Sequence, residues 1–505
     1  MGAKHNLGRY LLGCSVIALV AASGSSASAD TNEQLAAQLK VMQAQIERLQ
    51  RQVEENNNAA AAARAAAARS EAAQASAAES AATAQAAASR GGGEKEKDDL
   101  DLKVKWKGAP ELSSKDGKFK MKVRGRLNLD YNAINQDDFP DVNAFEIRRA
   151  RLGVEGTVWK DVDYKFEVDF ANDITAIKDA YFEYTGWGPE FKIRVGNFKT
   201  FNSLEHIMSS NFIEFMERAA FVDAAGFGLD RQIGMGALYQ REHFTLAAGV
   251  FGPHPFDEER WFQDVKTGAA RVTAAPINED GHVLHFGASW RSRGGATDLR
   301  AAPVAANDQF FIYGARGADL HLASRFISTP TGITPPGVAA QGIFDADTFY
   351  GLEAAYVHGP WSVQGEYGQL QADINERFVG DDPTYWGYYV SASWFLTGET
   401  RPYKFGEFTR QKVLNPVYEG GRGAWQLVAR YDVLSLTDNA ETIALCTTCG
   451  QQNTWQLGVN WWLNDHTRVM FNYGESSITG GFLAGNNAND GEHIKGAGTR
   501  LQIDW

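Results

Sequence analysis

Lys120, Lys122, Arg124 and Arg126 occupy alternate positions of one short stretch. Arg149 with Arg151, Lys165, and Lys192 with Arg194 repeat that spacing further along the chain. In an extended chain, side chains two apart point to the same side. Each row is therefore a strip of fixed positive charge facing one way. Fixed cations along a narrow, partly dehydrated passage select anions; Arg does so by bidentate contact and Lys as a mobile point charge. Acids share the region, namely Asp163, Glu167, Asp169, Asp179, Glu183, Glu205, Glu214 and Glu217. Two readings follow: an anion-biased passage, or a mixed, weakly selective one in which most arginines serve in structural pairs.

Other chemistries are poorly served. The chain has no G-x-S-x-G, H-E-x-x-H or P-loop motif, so no catalytic residue, cofactor or enzymatic activity is expected. Cys446 and Cys449 form a single C-x-x-C, too few ligands for a tetrahedral zinc site, so no metal is expected. In an exported chain the pair reads as a disulfide within the segment 438–451. The 49 Lys and Arg against 62 Asp and Glu, a net charge of −13, argue against a nucleic-acid partner. Mean hydropathy is −0.35, and no internal run of about 18 apolar residues supports a helical membrane protein. A β-barrel is not excluded, because its strands alternate and average to polar.

The elements that would hold the charges are strands. Phe119, Met121, Val123, Leu127, Leu129 and Tyr131 share the face opposite the first cationic row. Val162, Tyr164, Phe166, Val168 and Phe170 alternate with Asp163, Lys165, Glu167 and Asp169, and Phe191, Ile193 and Val195 with Lys192 and Arg194. Strands of about 10 residues with one apolar and one ionic face suit a membrane barrel with a wet interior, whereas sandwich strands are nearer 5–6 residues. Sixteen strands are predicted, the first at 119–131, the fifteenth at 466–475 and the last at 493–505. Tight joins follow most even-numbered strands and long loops follow odd ones, including 199–230 and 294–346. That parity puts short turns on one side of a membrane, with both ends of the barrel domain on that side. It fails once, at 398–422. The stretch Leu320 to Ser328 has strand character, but the even count keeps it inside a loop. Leu501, Ile503 and Trp505 alternate toward a terminal aromatic suited to the lipid interface.

Several segments resemble motifs of the phosphate-selective porin O/P family, in the family's order, over about residues 119–505. They are Phe145 to Gly156 (FEIRRARLGVEG), Gly196 to Lys199 (GNFK), Ser203 to Glu205 (SLE), Phe215 to Arg218 (FMER), Ser393 to Arg401 (SWFLTGETR), Gly423 to Trp425 with Ala429 to Tyr431, and Leu457 to Trp461 with Asn464. The resemblance implies a trimeric, sixteen-stranded outer-membrane channel whose third loop folds inward to narrow the lumen. It would bring Lys199, Arg218 and Arg231 to the other cations. A long 398–422 connection is also a trait of that family. Where the family pattern has a proline after Lys199, this chain has Thr200-Phe201-Asn202, so a different path of the third loop into the lumen is expected.

Ahead of the barrel, Lys4 and Arg9, the apolar run Tyr10 to Ala22 and Ala27-Ser28-Ala29 read as a signal peptide, residues 1–29. Leu35, Leu39, Met42, Ile46, Leu49 and Val53 make the a/d seam of a coiled coil in 30–55. Residues 56–118 read as an Ala-rich stalk, with 20 Ala in 59–89, and a charged linker. The expected protein is all-β: a sixteen-stranded antiparallel transmembrane barrel at 119–505, preceded by the α-helical coiled coil and stalk. The expected function is passive diffusion of small hydrophilic solutes across a Gram-negative outer membrane, biased to anions of the phosphate or polyphosphate class. Its expected partners are two further copies in a homotrimer, outer-membrane lipid, small anionic solutes and, through a periplasmic stalk, the cell wall. The alternative is a weakly selective general porin that also serves as an envelope tether.

Overall fold

Alternation with a period of two makes each strand apolar on one side and polar on the other, and a closed sheet is the way to hide one side while leaving no edge. The computed structural model describes residues 102–106, 108–137, 139–173, 175–224, 231–252, 266–294, 313–329, 344–374, 381–438, 449–479 and 491–505. The signal peptide, the coiled coil, the Ala-rich stalk and Cys446 lie outside the described residues. Eighteen strands join in one sheet, of which two short ones sit at its rim. The other sixteen are β1 (Lys120–Gln136), β2 (Val142–Val158), β3 (Val162–Asp169), β4 (Ala176–Tyr184), β5 (Phe191–Lys199), β6 (Arg231–Gln240), β7 (Phe244–Phe251) and β8 (Lys266–Glu279). The series continues with β9 (His282–Gly294), β10 (Phe344–His358), β11 (Trp361–Ile374), β12 (Thr384–Phe395), β13 (Ala424–Ser435), β14 (Gln451–Asn464), β15 (Thr467–Thr479) and β16 (His493–Asp504).

Neighbours pair antiparallel, and β16 returns to β1 in the register Ile494↔Gln136 to Asp504↔Arg126, which closes the barrel. Phe145, Phe182, Leu352 and Leu457 are more than half exposed on the outer surface, the apolar band that a lipid bilayer requires. Near the end of the barrel where the chain terminates, Trp361 stacks on Trp394 and Trp425 on Trp461, centroids 4.5 and 5.2 Å apart. Rings at that level suit the membrane interface. Strands β1 and β15 run past their predicted ends to Gln136 and Thr479, carrying the wall further up.

Ordered structure begins ahead of the predicted domain start. Lys103–Trp106 and Pro110–Ser113 form a hairpin within the segment read as linker. Its second strand pairs Ser113 with Lys120, Leu112 with Met121 and Glu111 with Lys122. It thereby occupies the edge of β1 below the point where β16 ends at Arg126.

Three insertions fill part of the lumen. The loop after β5 enters over an aromatic cluster, with Phe201 5.8 Å from Phe198 and 5.9 Å from Phe251. It then makes the short helical turn Leu204–Ile207 and crosses to the far wall. There the Leu204 and Glu205 N–H groups donate to the Glu366 carboxylate on β11 at 2.9 and 2.8 Å, and Met216 N–H donates to Asn472 on β15 at 2.8 Å. Residues 313–329 carry a small sheet, Gly314–Arg316 with Arg325–Ser328, separate from the barrel wall. The strand character near Leu320 thus stays within a loop. Phe221, Tyr313, Leu320, Phe326, Phe344 and Leu370 share one buried cluster that fastens both loops to the wall; each such side chain contributes about 1.5–3 kcal/mol by burial.

The third insertion, 396–423, is the connection that broke the turn parity. Its hairpin Tyr403–Lys404 with Glu407–Phe408 folds up into the barrel. Phe408 and Tyr403 there pack with Leu204, Met208 and Ile213 of the third loop and with Val283 and Val357 of the wall. An insertion from each end therefore meets inside the barrel.

Candidate functional site

Because the third loop lies on the far wall, a space remains between it and strands β1 to β8. This cavity is about 520 Å³, and eleven Lys and Arg but only five Asp and Glu line it. Eight of the twelve cations singled out from sequence are there: Arg126, Arg149, Arg151, Lys165, Arg194, Lys199, Arg218 and Arg231. Lys120, Lys122, Arg124 and Lys192 are not in its lining. Arg124 is held by Glu155 at 2.7 Å and Lys192 by Glu183 at 3.3 Å, while Lys120 and Lys122 form no ion pair among the described residues.

Arg148, Lys178 and Arg271 also line the cavity and were not anticipated. The register of β1 against β2 slips between Asn128↔Arg149 and Leu129↔Ile147, leaving Arg148 as the extra residue of a β-bulge. Strict alternation would have turned Arg148 to lipid, where an arginine costs about 2–4 kcal/mol near the midplane. Two adjacent arginines in an otherwise alternating strand are thus a signal for the bulge.

The lining cations divide by what they touch. Most face carboxylates: Arg151 meets Asp169 at 2.7 Å and Glu167 at 3.0 Å, Arg231 meets Asp179 at 2.6 Å, Lys165 meets Asp179 at 2.5 Å and Arg194 meets Glu183 at 2.5 Å. Arg126 instead donates to the hydroxyls of Ser210 at 2.6 Å and Ser209 at 3.4 Å, both on the third loop. Arg218 donates to the carbonyls of Glu205 at 2.8 Å and Met208 at 3.1 Å. Neutral acceptors satisfy hydrogen bonds without cancelling charge. Among the described residues no carboxylate bonds directly to Arg126 or Arg218, and Glu167 and Glu205 act on them only through space. Lys199 reaches the carbonyls of His206, Ile207 and Met208 at 2.6, 3.2 and 2.9 Å. With Glu366 at the other end of the same helical turn, Lys199 complements the turn's dipole and helps to fix the loop.

Glu217 is the node of the third loop. Its carboxylate accepts from Arg148 at 2.9 and 2.9 Å, from Arg149 at 3.2 Å and from Arg500 at 2.7 Å. Burial alone would raise its pKa, but the Arg148, Arg149 and Arg500 guanidiniums outweigh that and hold it well below the usual carboxylate range.

The cationic wall is not confined to the first five strands, as the sequence pattern suggested. Arg291, Arg293, Arg430, Arg468 and Arg500 are buried inside the barrel on β9, β13, β15 and β16. There acidic residues of the neighbouring wall strands and of the insertions pair with most of them. Arg293 meets Asp347 at 2.6 Å, Arg430 meets Asp319 of the inserted loop at 2.7 Å, and Arg500 is held by Asp130 and Glu217. The near wall, by contrast, borders the open basic cavity. Cys449 is buried and disulfide-bonded, with Cys446 outside the described residues. Among the described residues, no group of three or more His, Cys, Asp or Glu is placed to hold a metal ion.

The sequence pattern described as "Phosphate-selective porin O and P" matches residues 121–505, the whole of the barrel. The chain belongs to that porin family. Porin O of Pseudomonas aeruginosa is 31% identical over 430 residues, covering 80% of this chain and 93% of that protein. An uncharacterized protein of Caulobacter vibrioides is 31% identical over 423 residues, covering 80% and 77% of the two chains. Among solved structures, an anion-selective porin from Comamonas acidovorans aligns with 12% identity and a TM-score of 0.49 over 77% of this chain and 100% of that one. As a member of the porin O and P family, the protein is an outer-membrane porin of a Gram-negative cell.

Proposed function

We propose that this porin passes small hydrophilic anions of the phosphate or polyphosphate class by passive diffusion along the near wall, as a homotrimer in the outer membrane. The observation that carries the reading is the lining: eleven cations against five acids, with Arg126 and Arg218 bonded to hydroxyls and carbonyls alone. An anion that sheds water in this space meets guanidiniums that no carboxylate bonds directly, while a cation meets an excess of positive groups. Solute would be sorted by fixed charge with no input of energy. The description of the matching family and the 31% identity to Porin O support the same class of solute.

A second reading, a weakly selective pore, draws on the ion pairs of Asp179, Glu183, Glu167 and Asp169 with lining cations. Liposome swelling with a neutral sugar and an anionic sugar acid of equal size separates the two. The anion-biased pore admits the acid faster, and Arg126→Ala with Arg218→Ala removes the difference. Equal rates in the wild type would favour the weakly selective pore.

A further inference from the structure

The connection between β12 and β13 carries a feature that the third loop does not explain. Tyr403–Lys404 and Glu407–Phe408 form the tightest kind of hairpin, with Phe405 and Gly406 at its tip at φ 52° and 82°. Consecutive positive φ values favour Gly, Asn or Asp at both tip positions. A phenylalanine at the first of them is held there against that preference. The hairpin is pinned on several sides. Arg271 on β8 donates to the Gly406 carbonyl at 2.7 Å, and the Tyr403 hydroxyl lies 2.6 Å from His285 Nδ1 on β9. Arg401 donates to Gln364 on β11 at 2.6 Å while its guanidinium covers the Phe408 ring at 3.7 Å.

Below the basic cavity is a second one of about 460 Å³, bounded by the tight turns at the terminal end of the barrel through Glu242, Asn278, Glu279 and Asp280. Phe405 is the one residue that lines both cavities. Phe405 therefore lies at the boundary between the basic cavity and the space that opens on the turn side. Two residues on, Glu407 lines the basic cavity and forms no ion pair among the described residues. It is an acid whose charge no direct partner cancels, set in a wall of cations.

We infer that this hairpin is a second selective element of the pore, distinct from the third loop, with Phe405 setting the width of the passage on the turn side and Glu407 trimming its positive potential. The inference rests on the cavity being the solute path. It assigns specificity to a connection on the side opposite the long loops.

Full-length protein reconstituted in planar bilayers tests it through Phe405→Ala, Phe405→Trp and Glu407→Gln, each checked for folding by its heat-resistant migration on gels. Leu414→Ala, an exposed position of the same connection, is the control. The single-channel conductance rises for Phe405→Ala and falls for Phe405→Trp, with the control unchanged. Glu407→Gln shifts the zero-current potential toward the chloride equilibrium. Folded Phe405→Ala and Phe405→Trp pores that both conduct as the wild type overturn the inference. A wild-type pore without anion preference would overturn the proposed function instead, and the conductance of the two Phe405 variants would still decide the role of the hairpin.

Discussion

Replacing Glu217 probes both the architecture of the lumen and its charge. The carboxylate is buried and accepts four charge-assisted hydrogen bonds from three arginines. Arg500 keeps Asp130 at 2.6 Å when Glu217 is removed. Arg148 has no other hydrogen-bond acceptor among the described residues and is left as an uncompensated, largely buried cation. Breaking a buried pair by removing one partner costs about 3–5 kcal/mol, or roughly two to four decades in the unfolding equilibrium. Glu217→Gln retains shape and one acceptor oxygen, so its loss should be smaller than that of Glu217→Ala. The assay is urea unfolding of the protein folded into vesicles, followed by tryptophan fluorescence. In bilayers the same variants should shift the zero-current potential toward chloride, because Arg148 and Arg149 both line the cavity. The Glu217 pKa is depressed in the folded protein, so its contribution to stability is present above the ordinary carboxylate range. It is lost only when pH falls through the lower folded value. A loss below about 1 kcal/mol, the value for exposed pairs, together with unchanged selectivity would refute the reasoning.

Three further outcomes are expected. Arg126→Ala and Arg218→Ala each lower the chloride-to-potassium permeability ratio, whereas Arg124→Ala, paired with Glu155 and absent from the lining, leaves it unchanged in the same bilayer measurement. Burial pushes the Glu407 carboxyl up, with Lys199, Arg271, Arg194 and Lys165 pulling it back only in part. Glu407 therefore takes up a proton at higher pH than an ordinary carboxylate. Anion preference should rise as pH falls through that window, and Glu407→Gln should abolish the rise. Cys446 and Cys449 should resist alkylation until the protein is reduced, as intact mass reports; alkylation without reductant would exclude a disulfide between them.

The barrel was legible because lipid outside and water inside impose a period of two on every wall strand, and the rows Val162 to Asp169 and Phe191 to Val195 display it openly. The alternating segments gave the strand count, and the turn lengths checked it with one exception, at 398–422. The site was legible only in outline. Alternation placed Arg149 and Arg151 inward but not Arg148, because one bulge resets the phase and its only trace is the pair of adjacent arginines. Partners were beyond reach: Arg500 meets Glu217 and Arg430 meets Asp319 from 283 and 111 residues away in the chain. Without those pairs, the cations of the far wall cannot be told from the open ones on β1 to β8. Nor could the hairpin at Phe405 be placed, since a long connection states its length but not the side to which it folds.

The proposed anion selectivity rests on arginines that no carboxylate bonds directly. The most direct test is the zero-current potential of the purified protein in a planar bilayer under a KCl gradient, repeated with phosphate added. The expected result is a potential toward the chloride equilibrium and a conductance that falls as phosphate occupies the cavity. A potential near zero, or toward potassium, would contradict it and leave a porin whose acids and bases cancel.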